Sequence, residues 1–392
     1  MMASAPRVVI VGGGAIGSSI AYHLAVDPAF SGTVDVIERD PAYRMASSAL
    51  SAASIRQQFT TPVNIRMSQY GVEFLRAMPE RLATGGDRPD PAFREDGYLF
   101  LGSAAAVPAM RRAHALQRGE GADVVLLEPD ELVAARPWIS AQGVALASLG
   151  RSGEGWFDAH ALLHALRRKS IALGVRFHAT EATGFDCAGD RITRVRTAAG
   201  AVPCDVVVNA AGPWAARVAG WVGVDLPVRA RRRCVFVVSC PVVIDRCPLV
   251  IDPSGVWFRP EGRQFICGVS PAPADDPDDL PLEVDHALFD TALWPVLAAR
   301  VPAFEALRQT GAWAGYYEFN TFDQNGIVGP AVGRPNLLLA NGFSGHGIQQ
   351  SPAVGRGIAE LVVHGRYRTL DLVALGHARI LEDRPLVEEA VV

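Results

Sequence analysis

RVVIVGGGAIGSSIAYHLA, residues 7–25, is the stretch on which the fold turns. Arg7–Val11 is a short, mainly β-branched run that predicts a buried strand, and Ser18–Ala25 is apolar enough to be the helix that follows. Between them Gly12, Gly14 and Gly17 stand at the spacing of a tight strand-to-helix turn. Gly12 permits the turn, Gly14 lets the backbone approach a pyrophosphate, and Gly17 lets the helix pack closely on the strand. Ala15 and Ile16 stand within this turn, ahead of the helix whose N–H groups and dipole attract phosphate charge. Thr33–Ile37 predicts a second buried strand, ending in Glu38, 21 residues beyond Gly17, where a carboxylate can accept ribose hydroxyl protons. Together these residues predict an ADP half-site. Arg39 raises the alternative of a 2′-phosphate, which Glu38 would repel, so an unphosphorylated ribose is expected.

Outward from this unit, residues 45–56 are small and hydroxyl-rich, with Ser47 and Ser48 at their centre, and predict a segment passing close to a ligand. Pro62–Met78 predicts a helix, Thr84–Pro91 a surface loop or domain crossing, and Glu128–Leu132 a helix start within Leu126–Trp138. His160–Leu173 predicts an amphipathic helix ending at Gly174. Val175–His178, Arg191–Thr197 and Val202–Asn209 then predict a meander. Asn209-Ala210-Ala211-Gly212-Pro213-Trp214 ends a buried strand in small residues suited to lie beneath a dinucleotide. Pro227–Gly268 predicts a separate antiparallel sheet, Asp275–Asp279 a solvated linker, and Val284–Ala299 and Ala303–Leu307 two helices.

The whole chain has 392 residues, enough for two or three domains. With 49% apolar and 20% charged residues, wholesale disorder is excluded. A net charge of -4 supplies no global attraction for nucleic acid. Of the 37 basic residues all but Lys169 are arginine, so a tunable amine has one candidate. Six cysteines without a C-x-x-C pair predict reduced thiols and no metal site. No apolar run reaches the roughly 20 residues of a membrane span, and Met1–Arg7 lacks a secretory leader. A cytoplasmic protein without an integral membrane segment is the expectation.

Near the other end, Leu337–Ala340 predicts a buried strand leading into NGFSGHGIQQ, residues 341–350, and a helix from Pro352 to His364. A second glycine-rich strand-to-helix turn implies a second close contact with one long ligand; NAD does not need it, whereas FAD does. With these residues in view, the chain resembles the amine-oxidising branch of the FAD-linked D-amino-acid oxidase superfamily, which includes sarcosine oxidases, dimethylglycine dehydrogenases and glycine oxidase. The motif at Gly342, Ser344, Gly345, His346 and Gly347 is the more specific part of that resemblance.

The resemblance implies an α/β architecture: a discontinuous Rossmann-like FAD domain (1–85, 150–225 and 320–392) and an α+β substrate domain with an antiparallel sheet (86–149 and 226–319). It implies FAD contacts near Ser47, Ser48 and Ala182, and at the turn Gly345–Gly347 with Ile348 and Gln349. The turn's amides and dipole would stabilise negative charge on a reduced flavin. Arg56 matches the family arginine that pairs with a substrate carboxylate, a task suited to a planar guanidinium. Tyr316 and Tyr317 are candidates for closing the pocket on opposite faces of one strand. His346 is expected in the flavin turn and not as a base, and Arg231–Arg233 at a solvated sheet edge. Ser51 and Gly315 stand where relatives carry a histidine or cysteine linked to flavin, so FAD is expected to be dissociable. Gln349 and Ile266 stand where sarcosine oxidases carry lysines. Without a positive charge over the flavin, a dehydrogenase is expected over an oxidase, with a quinone or an electron-transfer protein among the conceivable acceptors. The expected substrate is a small amino acid or N-methyl amino acid. Trp313–Gly326 also resembles family members associated with respiratory complex I assembly, which leaves an alternative: a flavin-containing assembly or scaffold protein.

Overall fold

The computed structural model describes residues 5–388. Arg7–Val11 lies inside a six-stranded sheet in the order Ile327–Pro330, Leu337–Asn341, Val206–Asn209, Arg7–Val11, Thr33–Glu38, Arg176–Ala179. Neighbours pair parallel except the first two, which are antiparallel. Val8, Val9 and Ile10 are fully buried, because both faces are covered. Helices Ala15–Val26 and Gly347–His364 pack on one face through Ile20, Leu24, Val354 and Ile358. On the other lie the meander Ala182–Ala188, Arg191–Thr197, Gly200–Pro203 and the short helix Ala215–Gly220. The carboxyl ends of the parallel strands open to one side, where ligands of open α/β sheets bind.

A second sheet has eight strands in the order Arg308–Asn320, Val228–Ser239, Gln264–Gly268, Trp257–Glu261, Leu249–Ile251, Tyr98–Gly102, Leu146–Gly150, Val124–Leu127. Phe236, Phe258 and Cys267 point to a core shared with Leu297 and Phe304. Residues of the opposite parity, Arg233, Val235 and Trp257, face a hollow between the two sheets, as the period-2 alternation of strands requires. Ser54–Ile55 pairs with Gly155–Trp156 beside this hollow.

Several elements differ from the sequence reading. Pro227–Gly268 is not a separate sheet, since its strands recruit Tyr98–Gly102, Leu146–Gly150, Val124–Leu127 and Arg308–Asn320, and Leu249–Ile251 pairs parallel with Tyr98–Gly102. Val202–Asn209 breaks at Cys204-Asp205: Asp205 accepts bonds from the Arg7 backbone N–H and guanidinium, so residues before it complete the meander and residues after it join the parallel sheet. The strand after Gly174 pairs with Thr33–Glu38 and belongs to no meander. The helix expected over Val284–Ala299 is a wide turn, Phe289–Leu293, followed by Trp294–Arg300, with Pro295 unable to donate a backbone bond at the junction.

The largest misreading concerns charge. Arg231–Arg233 lies in the second strand of the sheet and not at a solvated edge. Arg233 is 8% exposed and forms a two-pronged pair with Asp276 at 2.7 and 2.8 Å. Arg231 reaches Asp276 at 3.0 Å and Asp278 at 2.7 Å. The acidic segment is therefore strapped to the sheet instead of being a solvated linker. Among the described residues no helix is long and apolar enough to cross a membrane, and no cluster of three or more His, Cys, Asp or Glu could hold a metal.

Candidate functional site

The hollow at the carboxyl ends of the parallel strands is lined by Gly12, Gly14, Ala15, Ile16, Glu38, Arg39, Ala182, Ala211, Gly212 and Trp214. Gly12 has φ +101°, and a Cβ there would lie 2.2 Å from the Ala210 carbonyl oxygen. Gly17 sits behind the hollow, where a Cβ would lie 1.9 Å from the Gly12 carbonyl oxygen. At Gly14 a Cβ would meet only Ser48 Oγ, at 3.2 Å, and would itself narrow the hollow that Gly14 lines. The Glu38 carboxylate accepts the Gly13 and Asp40 N–H groups at 2.8 Å each, which fixes it at the strand end. Burial raises its pKa against those two bonds. The Arg39 guanidinium carbon lies 3.6 Å from the Trp214 ring centroid, a cation–π contact in the wall.

Ile16, Ser47, Ser48 and Glu318 also line a second hollow, so the two adjoin. Ser48 Oγ accepts the Ala15 N–H at 3.0 Å, whereas Ser47 Oγ is buried without a partner where the hollows meet. An orphaned hydroxyl is what an absent polar ligand leaves behind. Gly345, Gly347 and Ile348 line this second hollow, at the N-terminus of Gly347–His364. Gly345 has φ +95°, and a Cβ would come within 2.4 Å of the Tyr317 ring. Gly342 and Ser344 do not line the hollow; they shape the turn from behind. The Gly342 N–H donates to Glu318 Oε2 at 3.2 Å, and Ser344 Oγ accepts the Asn320 N–H at 2.9 Å.

Glu318 escaped the sequence reading, although it stands two residues beyond Tyr316 in a stretch already singled out. Its carboxyl is pushed up to about 8 by burial, against bonds from the Gly342 and Phe343 N–H groups, and so is protonated near neutral pH. Ser51 Oγ accepts the Ala53 N–H at 3.0 Å. Gly315 packs under Leu50, whose Cβ would be 2.9 Å from any Cβ at 315. Neither position carries an imidazole or thiol for a covalent link.

A third hollow shares Ser51, Ala52, Trp257, Tyr317, Gly345 and Ile348 with the second and brings in Arg56, His346 and Gln349. Arg56 is 2% exposed. Its backbone N–H donates to Gln349 Oε1 at 3.0 Å, one guanidinium arm donates to the Gln58 carbonyl, and the other lies 3.0 Å from His346 Nε2. Its guanidinium carbon stacks 4.0 Å from the Phe59 ring centroid. Burial, and after it the Arg56 charge, hold the His346 imidazole well below its ordinary pKa. His346 is thus neutral, and Nε2 accepts from Arg56.

The two tyrosines are separated. Tyr317 lines the second and third hollows, while Tyr316 lines the second and donates its hydroxyl to the Leu280 carbonyl at 2.6 Å. Tyr316 therefore does not stand beside Arg56. Glu154 was also missed, and only its glycine neighbours could have hinted at it. Its carboxylate accepts from Gln57 N at 2.6 Å, Gln58 N at 3.1 Å and Gln58 Nε2 at 2.8 Å, and burial pushes it up to about 7. Ile266 pairs directly with Arg259, whose guanidinium donates to the Ala52 carbonyl at 2.7 Å. A positive charge thus stands one strand away from Ile266, bonded to the small-residue loop. Lys169 lies apart, donating to the Ala83 carbonyl at 2.7 Å.

Comparison with known proteins gives four findings. The family described as FAD dependent oxidoreductase matches residues 7–361. The chain is 45% identical over 428 residues to FAD-dependent oxidoreductase domain-containing protein 1 of Xenopus laevis, covering 98% of this chain and 84% of that protein. It is 25% identical to human mitochondrial dimethylglycine dehydrogenase over 94% of this chain and 44% of that one. Among solved structures, L-proline dehydrogenase from P. horikoshii superposes with a TM-score of 0.86 at 25% identity, covering 97% of this chain and 99% of that one.

Proposed function

Because the chain belongs to the family of FAD-dependent oxidoreductases, which matches it over residues 7–361, we propose that it oxidises the C–N bond of a small amino acid or N-methyl amino acid. FAD fits the joined hollows. Gly12, Gly14 and Glu38 suit its ADP end, the orphaned Ser47 hydroxyl suits a phosphate oxygen, and Gly345–Ile348 suit the flavin. With no imidazole or thiol at residues 51 and 315, the binding is non-covalent. Bound FAD supplies the acceptor for the hydride that leaves the carbon next to nitrogen.

The observation that carries the reading is the buried Arg56 guanidinium in the hollow that adjoins Gly345 and Ile348. A substrate carboxylate held there is oriented by a planar fork, and Gln349 fixes the backbone of Arg56 from behind. Phe59 stacks on the guanidinium and holds its plane, and Tyr317 forms part of the wall of the hollow. Neutral His346 keeps one arm of Arg56 in place and neither takes nor gives a proton. The positive end of Gly347–His364 favours negative charge at its N-terminus, which supports acceptance of a hydride. The substrate amine must enter neutral, and the imine product then hydrolyses in water. The names of the dimethylglycine and L-proline dehydrogenases agree with amine-bearing substrates.

We favour a dehydrogenase over an oxidase, since residue 266 carries no lysine. Arg259, a nearby positive charge, is engaged by its bonds to Ala52 and Glu261. The test is turnover of sarcosine, dimethylglycine, proline and D-amino acids, followed by dye reduction, carbonyl product and peroxide together. Dye reduction with carbonyl product and little peroxide is the expected result. Peroxide matching the carbonyl product would make it an oxidase, and absence of product from every substrate would favour the scaffold alternative.

A further inference from the structure

A further hollow, of about 410 Å³, lies beyond the one at Arg56, which measures about 60 Å³. Ile251 lines both. Phe100, whose ring centroid lies 5.3 Å from the Arg56 guanidinium carbon, lines the larger one, and Ser270 joins it to the second hollow. One wall is a face of the helix Val107–Gly119, with Ala109, Met110, Ala113 and Gln117 at helical spacing. Only Gln117 of that helix is buried. A helix of this length ordinarily packs its apolar face on core, yet here small apolar side chains face open volume.

Gln117 supplies the second, independent observation. It is 3% exposed, and its Nε2 donates to the Phe59 carbonyl at 3.1 Å. That bond sets the amide's orientation, because a flipped amide would set two oxygens against each other. Gln117 lines the hollow, and its Oε1 is buried with no donor. The neighbouring polar groups are engaged: Ser148 Oγ donates to Gln58 Oε1 at 2.7 Å, and Asp252 pairs with Arg300 at 2.8 Å. A buried acceptor without a proton is costly unless a ligand supplies one.

We infer that this hollow takes the distal part of the substrate, which narrows the proposed class from small amino acids to a carboxylate-bearing amine with an extended, mainly apolar chain ending in a hydrogen-bond donor. The inference rests on the reading of Arg56 as the carboxylate clamp. Equilibrium binding to the FAD-loaded protein of acetate, butyrate, hexanoate and 6-hydroxyhexanoate, by flavin absorbance and calorimetry, tests it. Affinity should rise roughly threefold to fourfold per added methylene, and the terminal hydroxyl should add roughly threefold more. Ala109→Trp should remove the gain with chain length while leaving acetate unchanged, and Gln117→Leu should remove only the hydroxyl's share. Affinity flat with chain length, or a gain that survives Ala109→Trp, overturns the inference and leaves the amine-oxidation reading standing. If no carboxylate binds and Arg56→Met changes nothing, both fall together.

Discussion

Glu154 lies behind Arg56, joined to it through the backbone of Gln57 and Gln58, and the titration of one acts on the other. Below about 7 the Glu154 carboxyl is neutral and does not compete with an anion for the Arg56 charge. Above that value the carboxylate competes for the same charge. Acetate affinity should therefore fall roughly threefold to tenfold between pH 6 and 8, and Glu154→Gln should flatten the profile; a flat profile in the parent protein would disconnect Glu154 from the site. The linkage to folding has the same sign. Glu154 keeps in the native state a proton that the unfolded chain sheds near 4.5, so its contribution to stability declines as pH rises from there toward 7. Such groups were invisible at the level of sequence, because a lone glutamate carries no pattern that foretells burial. The glycines at 12, 17 and 345 were legible for the opposite reason: positive φ, or a carbonyl or ring in the place of Cβ, admits no other residue.

Among elements, the strap at Asp276 carries the clearest consequence. Burial alone would raise the Asp276 pKa, but the bonds and charges of Arg233 and Arg231 outweigh it, and the net shift is downward. Its stabilisation is therefore fully present above the unfolded Asp pKa of about 3.9 and is lost as pH falls through the lower folded value. Asp276→Asn leaves two arginines facing an amide and should cost about 3 kcal/mol in urea unfolding at neutral pH, with the difference shrinking below pH 4. Equal midpoints at neutral pH would mean that the segment behaves as the solvated linker its composition suggests. Composition misled here because period-2 alternation puts Arg231 and Arg233 on one face, and only the tertiary fold brings Asp276 to it. Strands were legible as apolar runs. Their partners were not, so Val202–Asn209 read as one strand until Asp205 and Arg7 divided it between two sheets.

At the scale of the whole molecule, two distant glycine turns converge because Arg7–Val11 and Leu337–Asn341 flank the same strand, Val206–Asn209. That convergence was foreseeable from the need of one long ligand for two close backbone contacts. The second sheet's eight-strand order was not, since it joins segments from residue 98 to residue 320 whose pairing no local signal encodes. The result is a groove running from Glu38 past Ser47 and Glu318 to Arg56, with the parallel sheet holding one end and the second sheet covering the other. The proposed C–N oxidation belongs to the Arg56 end of this groove. It is tested most directly by anaerobic mixing of the FAD-loaded protein, and of its Arg56→Met variant, with a panel of secondary-amine and D-amino acids. At least one compound should bleach the flavin of the parent protein, and the variant should need at least tenfold more of it. Flavin that stays yellow with every compound, or bleaches equally well without Arg56, would contradict it.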